Sequence, residues 1–343
     1  MNELGKYVEL LCLFEKQTEV GREASWYDHA FSNFEGVFLN KKNESEMLKK
    51  AVSEYDCLIN ADYSNHVCIK ASKMFHKARK PVFMYADGGL VIPRGPVDLV
   101  IRWAMNLCDW FLSSGKETDK YLEYYHVPMD RVLHYRFSCM SESEIAEASR
   151  MSGLKEQCRT SSGYKEQVIA ITVGQQIPRK GIDILAKADA LLKDLDLGIY
   201  VIGGKQEENV QKIIAEKHIT NMHFIPFLSK EEIAGYYAGA DFYVMPTRYD
   251  IWGLVINEAM AYGLPVISTD RCVAALQFND LYSNALLVPS ENPEKLADAM
   301  RQFCNDENMR KELGRRSLEG IREYSIEHMA KDIATALQKA EKV

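Results

Sequence analysis

Short apolar runs alternate along most of the chain with longer segments whose apolar residues recur at helical spacing. Runs of about four to eight apolar residues are typical of buried strands, and the longer amphipathic segments are typical of helices. The clearest runs lie at 7–14, 56–61, 81–85, 110–113, 131–137, 167–173, 199–203, 223–227 and 242–245. This alternation predicts an α/β fold whose mostly parallel sheets are covered by helices on both faces.

A chain of 343 residues exceeds one ordinary hydrophobic core, which favours two domains. Residues 140–162 are polar and rich in Ser, Glu and Lys, and their later half is typical of a linker. The predicted parts are a first Rossmann-like domain over 1–152, a linker over 153–166, a second Rossmann-like domain over 167–324 and a terminal helix over 325–343.

The composition, with 47% hydrophobic and 27% charged residues, is typical of a soluble globular protein. A net charge of -7 argues against a general nucleic-acid binder, because such proteins are basic. No apolar run in the sequence approaches the length of a membrane span. The eight cysteines are scattered without a C-x-x-C pair, which favours reduced, buried thiols over metal ligands or disulfides.

The stretch 241–270 is predicted to form a strand, a loop, a helix and a second strand. Gly253 at the turn lets the backbone approach a ligand, and the free N–H groups that follow it favour an anion such as phosphate. Asp250 lies in the loop before the helix. Glu258 lies one turn along the helix, where its carboxylate is placed to accept hydrogen bonds from sugar hydroxyls. A nucleotide sugar offers both a phosphate and hydroxyls.

At these residues the chain resembles the bacterial retaining glycosyltransferases of family 4. Their signature of two acids, Glu-x7-Glu, followed by EAMA, a glycine and Pro-Val, stands here as Asp250-x7-Glu258, EAMA, Gly263 and Pro265-Val266. The first acid is Asp, which is one methylene shorter than Glu. The wider segment PTRYDIWGLVINEAMAYGLPVISTDRC is similar to transferases of capsule and exopolysaccharide gene clusters.

The resemblance implies the GT-B fold, in which two doubly wound Rossmann-like domains face a central cleft. The last helix, here 325–343, is then expected to return to the N-terminal domain. Family members open with a strand, a loop and a helix, and residues 1–6 resemble the end of that helix. The first N-terminal strand is therefore expected to be missing. The family needs no divalent metal, which implies that this chain uses no cofactor and has no metal site.

A second candidate site follows the predicted strand at 167–173. Gly174 opens a loop that carries Arg179 and Lys180 and leads into a helix, a pattern typical of a phosphate-binding loop. In the resembled family an arginine and a lysine of this loop hold the diphosphate. Lys180 keeps the lysine and Gln175 replaces the arginine, so Arg179 is expected to supply part of the charge. The alternative is that Arg179 and Lys180 are solvated charges.

In the first domain, Asp87 and Gly88 follow a predicted strand, and ligands bind at such carboxyl ends in parallel sheets. Asp87 is predicted to contact a hydroxyl group of the acceptor, with an ordinary Asp-Gly turn as the alternative. Lys70, Lys73 and Lys77 lie on one predicted amphipathic helix. This pattern favours either contact with anionic lipid or a solvated helix face.

These patterns and the resemblance predict a retaining glycosyltransferase. It moves a hexose-type sugar from a nucleoside diphosphate sugar, UDP-linked, to a lipid- or glycan-linked acceptor in surface polysaccharide biosynthesis. The expected location is the cytoplasm, with peripheral contact at the inner face of the plasma membrane and no nucleic acid partner. Two alternatives stay open: a GT-B sugar-nucleotide epimerase, and a truncated non-catalytic subunit that binds the donor or a partner.

The predicted site residues fall into three groups. The predicted catalytic residues are Asp250, Glu258 and Lys180. The predicted donor-binding residues are Gly174, Gln175, Arg179, Gly203, Gly253, Leu254 and Val255. The predicted acceptor-side residues are Asp87 and Gly88.

Overall fold

The computed structural model describes residues 1–16, 31–62 and 65–340. Backbone contacts divide the chain into two compact units, Met1–Arg136 with Ile326–Val343, and Phe137–Ser325. Every residue of the second unit is described. None of the helices in the described ranges combines the length and the hydropathy that a membrane span requires.

The described part of the first unit consists of parallel strands joined by helices. Its elements, in chain order, are β1 (Leu11–Phe14), β2 (Glu35–Phe38), α1 (Glu44–Glu54), β3 (Leu58–Asn60), α2 (His66–Lys77), β4 (Val82–Ala86), α3 (Pro96–Met105), β5 (Trp110–Ser113), α4 (Lys116–Tyr124) and β6 (Val132–His134). Strands β3 to β6 form a four-stranded parallel sheet in that order, and β1 and β2 form a separate parallel pair. Because parallel neighbours need a crossover, a helix separates each strand of the larger sheet from the next.

The second unit, all of which is described, is built around one parallel sheet. Its elements are α5 (Glu142–Ser152), α6 (Lys155–Ser161), β7 (Val168–Val173), α7 (Ile182–Asp189), β8 (Leu197–Ile202), α8 (Glu208–Lys217), β9 (Met222–Ile225), α9 (Lys230–Gly239), β10 (Phe242–Met245), α10 (Val255–Ala261), β11 (Val266–Thr269), α11 (Val273–Tyr282), β12 (Ala285–Val288), α12 (Pro293–Asn305) and α13 (Glu307–Ile321). The six strands lie in the order β12-β11-β10-β7-β8-β9. The predicted α/β class with parallel sheets is confirmed in both units.

Strand β7 lies at the centre of the second sheet, and its sequence VIAITV is almost continuously apolar. Ile169, Ala170 and Ile171 have no exposed surface, as expected for a parallel strand that is covered by helices on both faces. The chain leaves β7 toward β8 on one side, and β10 pairs with β7 on the other. This reversal of strand order is the point where open α/β sheets bind ligands, outside the carboxyl ends of the strands.

The division between the units differs from the predicted boundary at residue 152. Helix α5 begins with a capping box between Ser141 and Glu144, and both α5 and α6 pack against α9 of the second unit. Helix α6 lies within the segment predicted as a linker. It is held by the buried carboxylate of Asp241, which accepts from Lys155 at 2.6 Å and from Arg159 at 3.1 Å. Residues 153–161 therefore belong to the fold of the second unit.

The last helix, α14 (Ile326–Ala340), is grouped with the first unit. Its Asp332 accepts two hydrogen bonds of 2.7 Å from the guanidinium group of Arg136. This two-pronged pairing fixes the side chains in one orientation, because the planar fork of arginine matches the carboxylate.

Candidate functional site

Two loops meet at the carboxyl edge of the second sheet, where β7 and β10 end. One loop, 174–181, joins β7 to α7, and the other, 246–254, joins β10 to α10. The Thr247 hydroxyl and the Arg248 amide both donate to the carbonyl oxygen of Arg179, at 2.9 and 2.8 Å. The two stretches predicted to bind the donor are thus joined by hydrogen bonds.

Gly181 allows this close approach of the two loops. Its φ is +72°, and a Cβ at this position would lie 2.0 Å from the carbonyl oxygen of Pro246. Any side chain would therefore collide with the backbone of the neighbouring loop, in addition to the strain of the left-handed conformation.

Asp250 is the electrostatic centre of the joined loops. Its side chain is nearly buried, and Oδ2 accepts from Lys180 Nζ at 2.7 Å and from Arg179 Nη1 at 2.9 Å. The Arg179 guanidinium also lies over the Tyr249 ring, 5.5 Å from its centroid. Two predicted catalytic residues and one predicted donor-binding residue are therefore brought together, and their cluster carries a net positive charge.

The backbone of Asp250 is fixed as firmly as its side chain. Its amide donates to the Arg271 carbonyl at 2.8 Å, and its carbonyl accepts from the Val273 amide at 3.1 Å. These bonds form an isolated parallel bridge between Asp250 and Cys272. The backbone that carries the Asp250 carboxylate is thus fixed by residues at the start of α11.

Gly174 and Gly203 bring the ends of β7 and β8 together. A Cβ on Gly203, whose φ is +109°, would lie 2.8 Å from the carbonyl oxygen of Gly174. Gln176 is buried, and its Nε2 donates to the carbonyl oxygens of Gly203 and Gly204 at 2.9 and 3.3 Å. Gln175, in contrast, is exposed. Gln176 is therefore a positioning residue that the sequence pattern did not predict.

A small cavity opens beside these residues. It is lined by Thr172, Val173, Gly174, Gln175, Lys180, Ile182, Val201 and Met245. Three residues predicted to bind or activate the donor thus surround one space at the carboxyl end of β7.

Gly253, Leu254 and Val255 form the entry to α10. Gly253 has a φ of +100°, and a Cβ there would lie 2.9 Å from Cys272 Sγ. Leu254 precedes the first helical residue, Val255, and its carbonyl oxygen lies 3.8 Å from Cys139 Sγ. The turn predicted to approach a ligand is thus present, and the packing of Cys272 requires a glycine in it.

Glu258 lies on α10 in an environment different from that of Asp250. Its Oε2 accepts from the Tyr237 hydroxyl at 2.9 Å, and the Tyr237 ring stacks on Tyr262 with centroids 5.1 Å apart. Burial raises the pKa of the Glu258 carboxyl, and the hydrogen bond from Tyr237 only partly opposes this shift. No hydrogen bond or ion pair in the second unit, which is fully described, joins Glu258 to Asp250 or Lys180.

Tyr243 of β10 is a buried tyrosine whose phenol lies within the electrostatic influence of both acids. It is completely buried, and its hydroxyl donates to the Val173 carbonyl at 3.3 Å. Burial raises the pKa of the Tyr243 phenol well above its ordinary value, and the carboxylates of Glu258 and Asp250 raise it further. Tyr243 was not predicted, because a tyrosine in an apolar strand looks like a packing residue.

Arg248 and Asp183 form a second link, between the loop 246–254 and the first turn of α7. Arg248 donates two hydrogen bonds of 2.9 Å to the buried carboxylate of Asp183, in the first turn of α7. Burial alone would raise the pKa of Asp183, but the contact with Arg248 lowers it below the ordinary value. The two residues are 65 positions apart, so the sequence carried no local signal for the pair.

Asp87 and Gly88 directly follow β4 in the first unit, at the carboxyl end of that strand. Asp87 is partly exposed, and the neighbouring Tyr135 hydroxyl donates to the Ala86 carbonyl at 3.1 Å. Burial raises the pKa of the Tyr85 phenol, and the Asp87 charge adds to this shift. The predicted position at a strand end is thus observed for both residues.

Within the part of the chain that the structure describes, no group of three or more His, Cys, Asp or Glu side chains is placed to hold a metal ion. A positive charge in the lining of the cavity beyond β7 comes from the ammonium group of Lys180.

Comparison with known proteins gives relatives for the second unit. The family described as "Glycosyl transferases group 1" matches residues 155–319. An uncharacterized glycosyltransferase of Methanocaldococcus jannaschii is 31% identical over 156 residues, which cover 45% of this chain and 43% of the relative. A D-inositol 3-phosphate glycosyltransferase of Pseudarthrobacter chlorophenolicus is 32% identical over 145 residues, 40% of this chain and 34% of the relative. The matches thus span less than half the length of these relatives.

Solved structures show the fold over most of the chain. The Anabaena protein HepE, crystallised in complex with UDP, has a TM-score of 0.75 at 16% identity and covers 89% of this chain and 86% of its own. A glycosyltransferase from Rickettsia africae also has a TM-score of 0.75, at 15% identity, with 90% and 86% covered. The predicted α/β fold of the GT-B type is confirmed by these matches. Over residues 155–319, the chain is similar to the glycosyl transferases group 1 family.

Proposed function

We propose that this protein is a retaining glycosyltransferase of the capsule or exopolysaccharide type in family 4. It transfers a hexose-type sugar from a nucleoside diphosphate sugar, UDP-linked, to a lipid- or glycan-linked acceptor. The observation that carries the proposal is the convergence of Lys180 and Arg179 on Asp250, beside a glycine-lined cavity at the strand switch point. Support for the donor comes from HepE, which was crystallised with UDP and with UDP-glucose.

The chemical difficulty of such a transfer is the negative charge that grows on the leaving diphosphate. Fixed positive groups stabilise that charge most when they are in place before the reaction, because no reorganisation is then needed. Asp250 holds Lys180 and Arg179 together at the mouth of the loops. We infer that the diphosphate binds against these two cations, with the N–H groups after Gly253 as further donors, and that no divalent metal is needed.

The two carboxylate oxygens of Asp250 differ in their contacts, and Oδ1 can accept a further hydrogen bond. Its Oδ2 accepts from both cations, whereas among the described residues Oδ1 has only a long contact of 3.4 Å from the Trp252 amide. A hydroxyl of the transferred sugar is a suitable donor to Oδ1. Asp250 would then fix the sugar and the cations with one side chain, so that the anomeric carbon is positioned against the acceptor.

In a retaining transfer without an enzymic nucleophile, the acceptor oxygen forms its bond to the anomeric carbon on the face that the phosphate leaves. The electron pair of the broken C–O bond passes to the diphosphate, and a diphosphate oxygen takes the proton of the acceptor hydroxyl. Lys180 and Arg179 stabilise the departing group, and Glu258 is assigned to the ribose hydroxyls. We place this reaction in the cytoplasm at the inner face of the plasma membrane, where a lipid-linked acceptor is within reach.

The test is an assay of UDP release from UDP-glucose, UDP-galactose and UDP-N-acetylglucosamine, with and without a polyprenyl diphosphate-linked sugar. A product whose new linkage keeps the α configuration of the donor, seen by proton NMR, is expected. A free 2-epimer in place of a transferred sugar would identify an epimerase. Thermal stabilisation by UDP with no turnover of any donor would identify a non-catalytic binding subunit. The proposal would be overturned if the protein neither turned over any donor nor bound UDP.

A further inference from the structure

Helix α3 of the first unit presents an apolar surface to solvent. Val97, Leu99, Val100 and Trp103 are 51%, 70%, 62% and 48% exposed, and we call these four residues the α3 patch. The opposite side of the helix is also apolar, and it packs into the core through residues such as Met105. A surface helix normally keeps polar residues on its outer face, so a contiguous apolar patch marks an interaction surface.

Basic side chains border the α3 patch. Lys73 of α2 places Nζ 5.6 Å from the centroid of the Trp103 ring, which locates α2 beside the patch. Lys77 follows one turn later on the same face of α2, and Arg102 is exposed on α3 itself. Among the residues that the structure describes, none of these three cations forms an ion pair with a carboxylate. We call Lys73, Lys77 and Arg102 the basic rim.

The nearest acid on α3 does not cancel this charge. Asp98 accepts hydrogen bonds from the Arg94 amide at 2.8 Å and from the Tyr125 and Tyr124 hydroxyls, at 2.8 and 3.1 Å. These donors lower the pKa of Asp98 and hold its carboxylate toward α4. On a helical wheel, Asp98 lies about 40° from Arg102, but among the described residues no ion pair joins the two side chains.

We propose that the α3 patch and the basic rim dock the protein on an anionic lipid bilayer. Apolar side chains enter the boundary between headgroups and acyl chains, Trp103 lies at the polar interface, and the rim meets the anionic headgroups. A second copy is a poorer occupant, because a two-fold pairing through this face would bring identical cations together. The sequence pointed only to the lysines of α2 as a candidate lipid contact, whereas the apolar partner surface lies on α3.

The inference deepens the proposed function, since it rests on the membrane location proposed above. Helix α3 begins nine residues after Asp87, on the connection that leaves the candidate acceptor strand β4. A bilayer bound at α3 would therefore present a lipid-linked acceptor close to that strand end. Vesicle binding is measured without donor or acceptor, so its failure is distinguishable from failure of the glycosyltransferase activity.

The test is co-sedimentation with vesicles of phosphatidylcholine and phosphatidylglycerol in equal parts, compared with vesicles of phosphatidylcholine alone. The protein is expected to sediment with the anionic vesicles only, and 0.5 M salt is expected to release it. The double variant Leu99→Gln with Val100→Gln is expected to bind at least tenfold more weakly. Leu191→Gln with Leu281→Gln is the matched control, because these leucines are 50% and 51% exposed in the second unit.

The basic rim is tested separately by Lys73→Gln with Lys77→Gln. Each lysine near an anionic surface strengthens binding about fivefold, so the pair is expected to weaken binding more than tenfold. Lys212→Gln, an exposed lysine of the second unit, is the control and is expected to bind as the wild type does. Equal sedimentation of the wild type, the patch variant and the rim variant would overturn the proposal.

Trp103 provides a spectroscopic readout of the same docking. Its emission is expected to shift to the blue when anionic vesicles are added, and Trp103→Phe is expected to lose the shift while still sedimenting. Analytical ultracentrifugation of the wild type and the patch variant tests the rival occupant. If the wild type is a dimer, the patch variant is a monomer and neither binds vesicles, the surface would be assigned to a second copy.

Discussion

Lys180 Nζ lies 2.7 Å from Asp250 Oδ2, although 70 residues separate the two in the sequence. Arg179 approaches the same oxygen at 2.9 Å, so one carboxylate holds two neighbouring cations. A diphosphate that enters this site meets positive charge that is already in position. In the proposed complex the diphosphate binds against the cations that Asp250 holds in place, so the strength of binding should depend on each member of the cluster.

Lys180→Ala is expected to weaken UDP binding about 10- to 100-fold, because a hydrogen bond to a charged group contributes about 1.5 to 3 kcal/mol. Titration calorimetry with UDP measures the change. Lys212→Ala is the control, since Lys212 is exposed and distant in sequence. Unchanged affinity in Lys180→Ala would mean that the diphosphate binds elsewhere.

Asp250→Asn is expected to lower the free energy of unfolding by about 1 to 2 kcal/mol, because two partly buried cations lose their counter-charge. Saturating UDP should remove part of this loss, since the phosphates supply the counter-charge that the variant lacks. Thermal melts of both proteins, with and without UDP, provide the measurement. Asp298→Asn removes an exposed pair with Lys295 and is expected to change little. A loss that stays the same with UDP would argue against diphosphate binding at Lys180 and Arg179.

Glu258→Gln is expected to flatten the pH dependence of stability. Burial raises the pKa of Glu258 in the folded state, so the folded protein binds more protons than the unfolded chain between the two pKa values. The stability contributed by the protonated carboxyl is complete below the unfolded pKa and is lost as pH rises through the folded pKa. The substituted glutamine cannot ionise, so the melting temperature of the variant should exceed that of the wild type above this window. Parallel melting curves across pH would contradict the expectation.

Gly181→Ala is expected to destabilise the protein by roughly 2 to 4 kcal/mol, through the left-handed φ and the collision with Pro246. Gly163→Ala is a matched control, because Gly163 has the same φ of +72° and a Cβ there would have no other atom within 4 Å. The control should cost about 1 kcal/mol from backbone strain alone. Denaturant unfolding of both variants isolates the contribution of the loop contact. Equal losses in the free energy of unfolding would show that the two loops move apart at little cost.

Gln175→Arg is expected to tighten UDP binding, because a guanidinium group forms stronger hydrogen bonds to phosphate than a neutral amide does. Gln175 is exposed and lines the cavity beyond β7, so the longer side chain has room. The gain should shrink as salt is raised. UDP titration at two salt concentrations measures it, and no gain at low salt would show that position 175 faces away from the phosphates.

The apolar periodicity predicted the strands and helices because each parallel strand is buried on both faces. The glycines, acids and basic residues that follow β7 and β10 predicted that these two loops carry the site. It did not predict α6, whose sequence KEQCRTS is mostly polar and whose place depends on Lys155 and Arg159 binding Asp241. A polar segment held by ion pairs resembles a linker when its partner is unknown.

The side-chain contacts within the site were the least predictable part. Asp250, Arg179 and Lys180 were each selected from the sequence, yet nothing local indicated that they share one oxygen atom. Arg248 and Asp183 were missed for the same reason, because their bidentate pairing depends on how two loops pack. Sequence spacing fixes which residues share a helix face, but contacts across loops depend on the tertiary structure.

The glycines at the carboxyl edge of the second sheet limit how this site can diversify. Positions 181 and 203 are closed to side chains by the carbonyl oxygens of Pro246 and Gly174, and position 253 is closed by the sulfur of Cys272. Substitutions that add a side chain at these three positions would force the neighbouring backbone or the Cys272 side chain to move before they could reshape the cavity. Changes in donor preference are therefore accessible through exposed neighbours such as Gln175, where a new side chain alters charge and reach without disturbing the backbone beneath it.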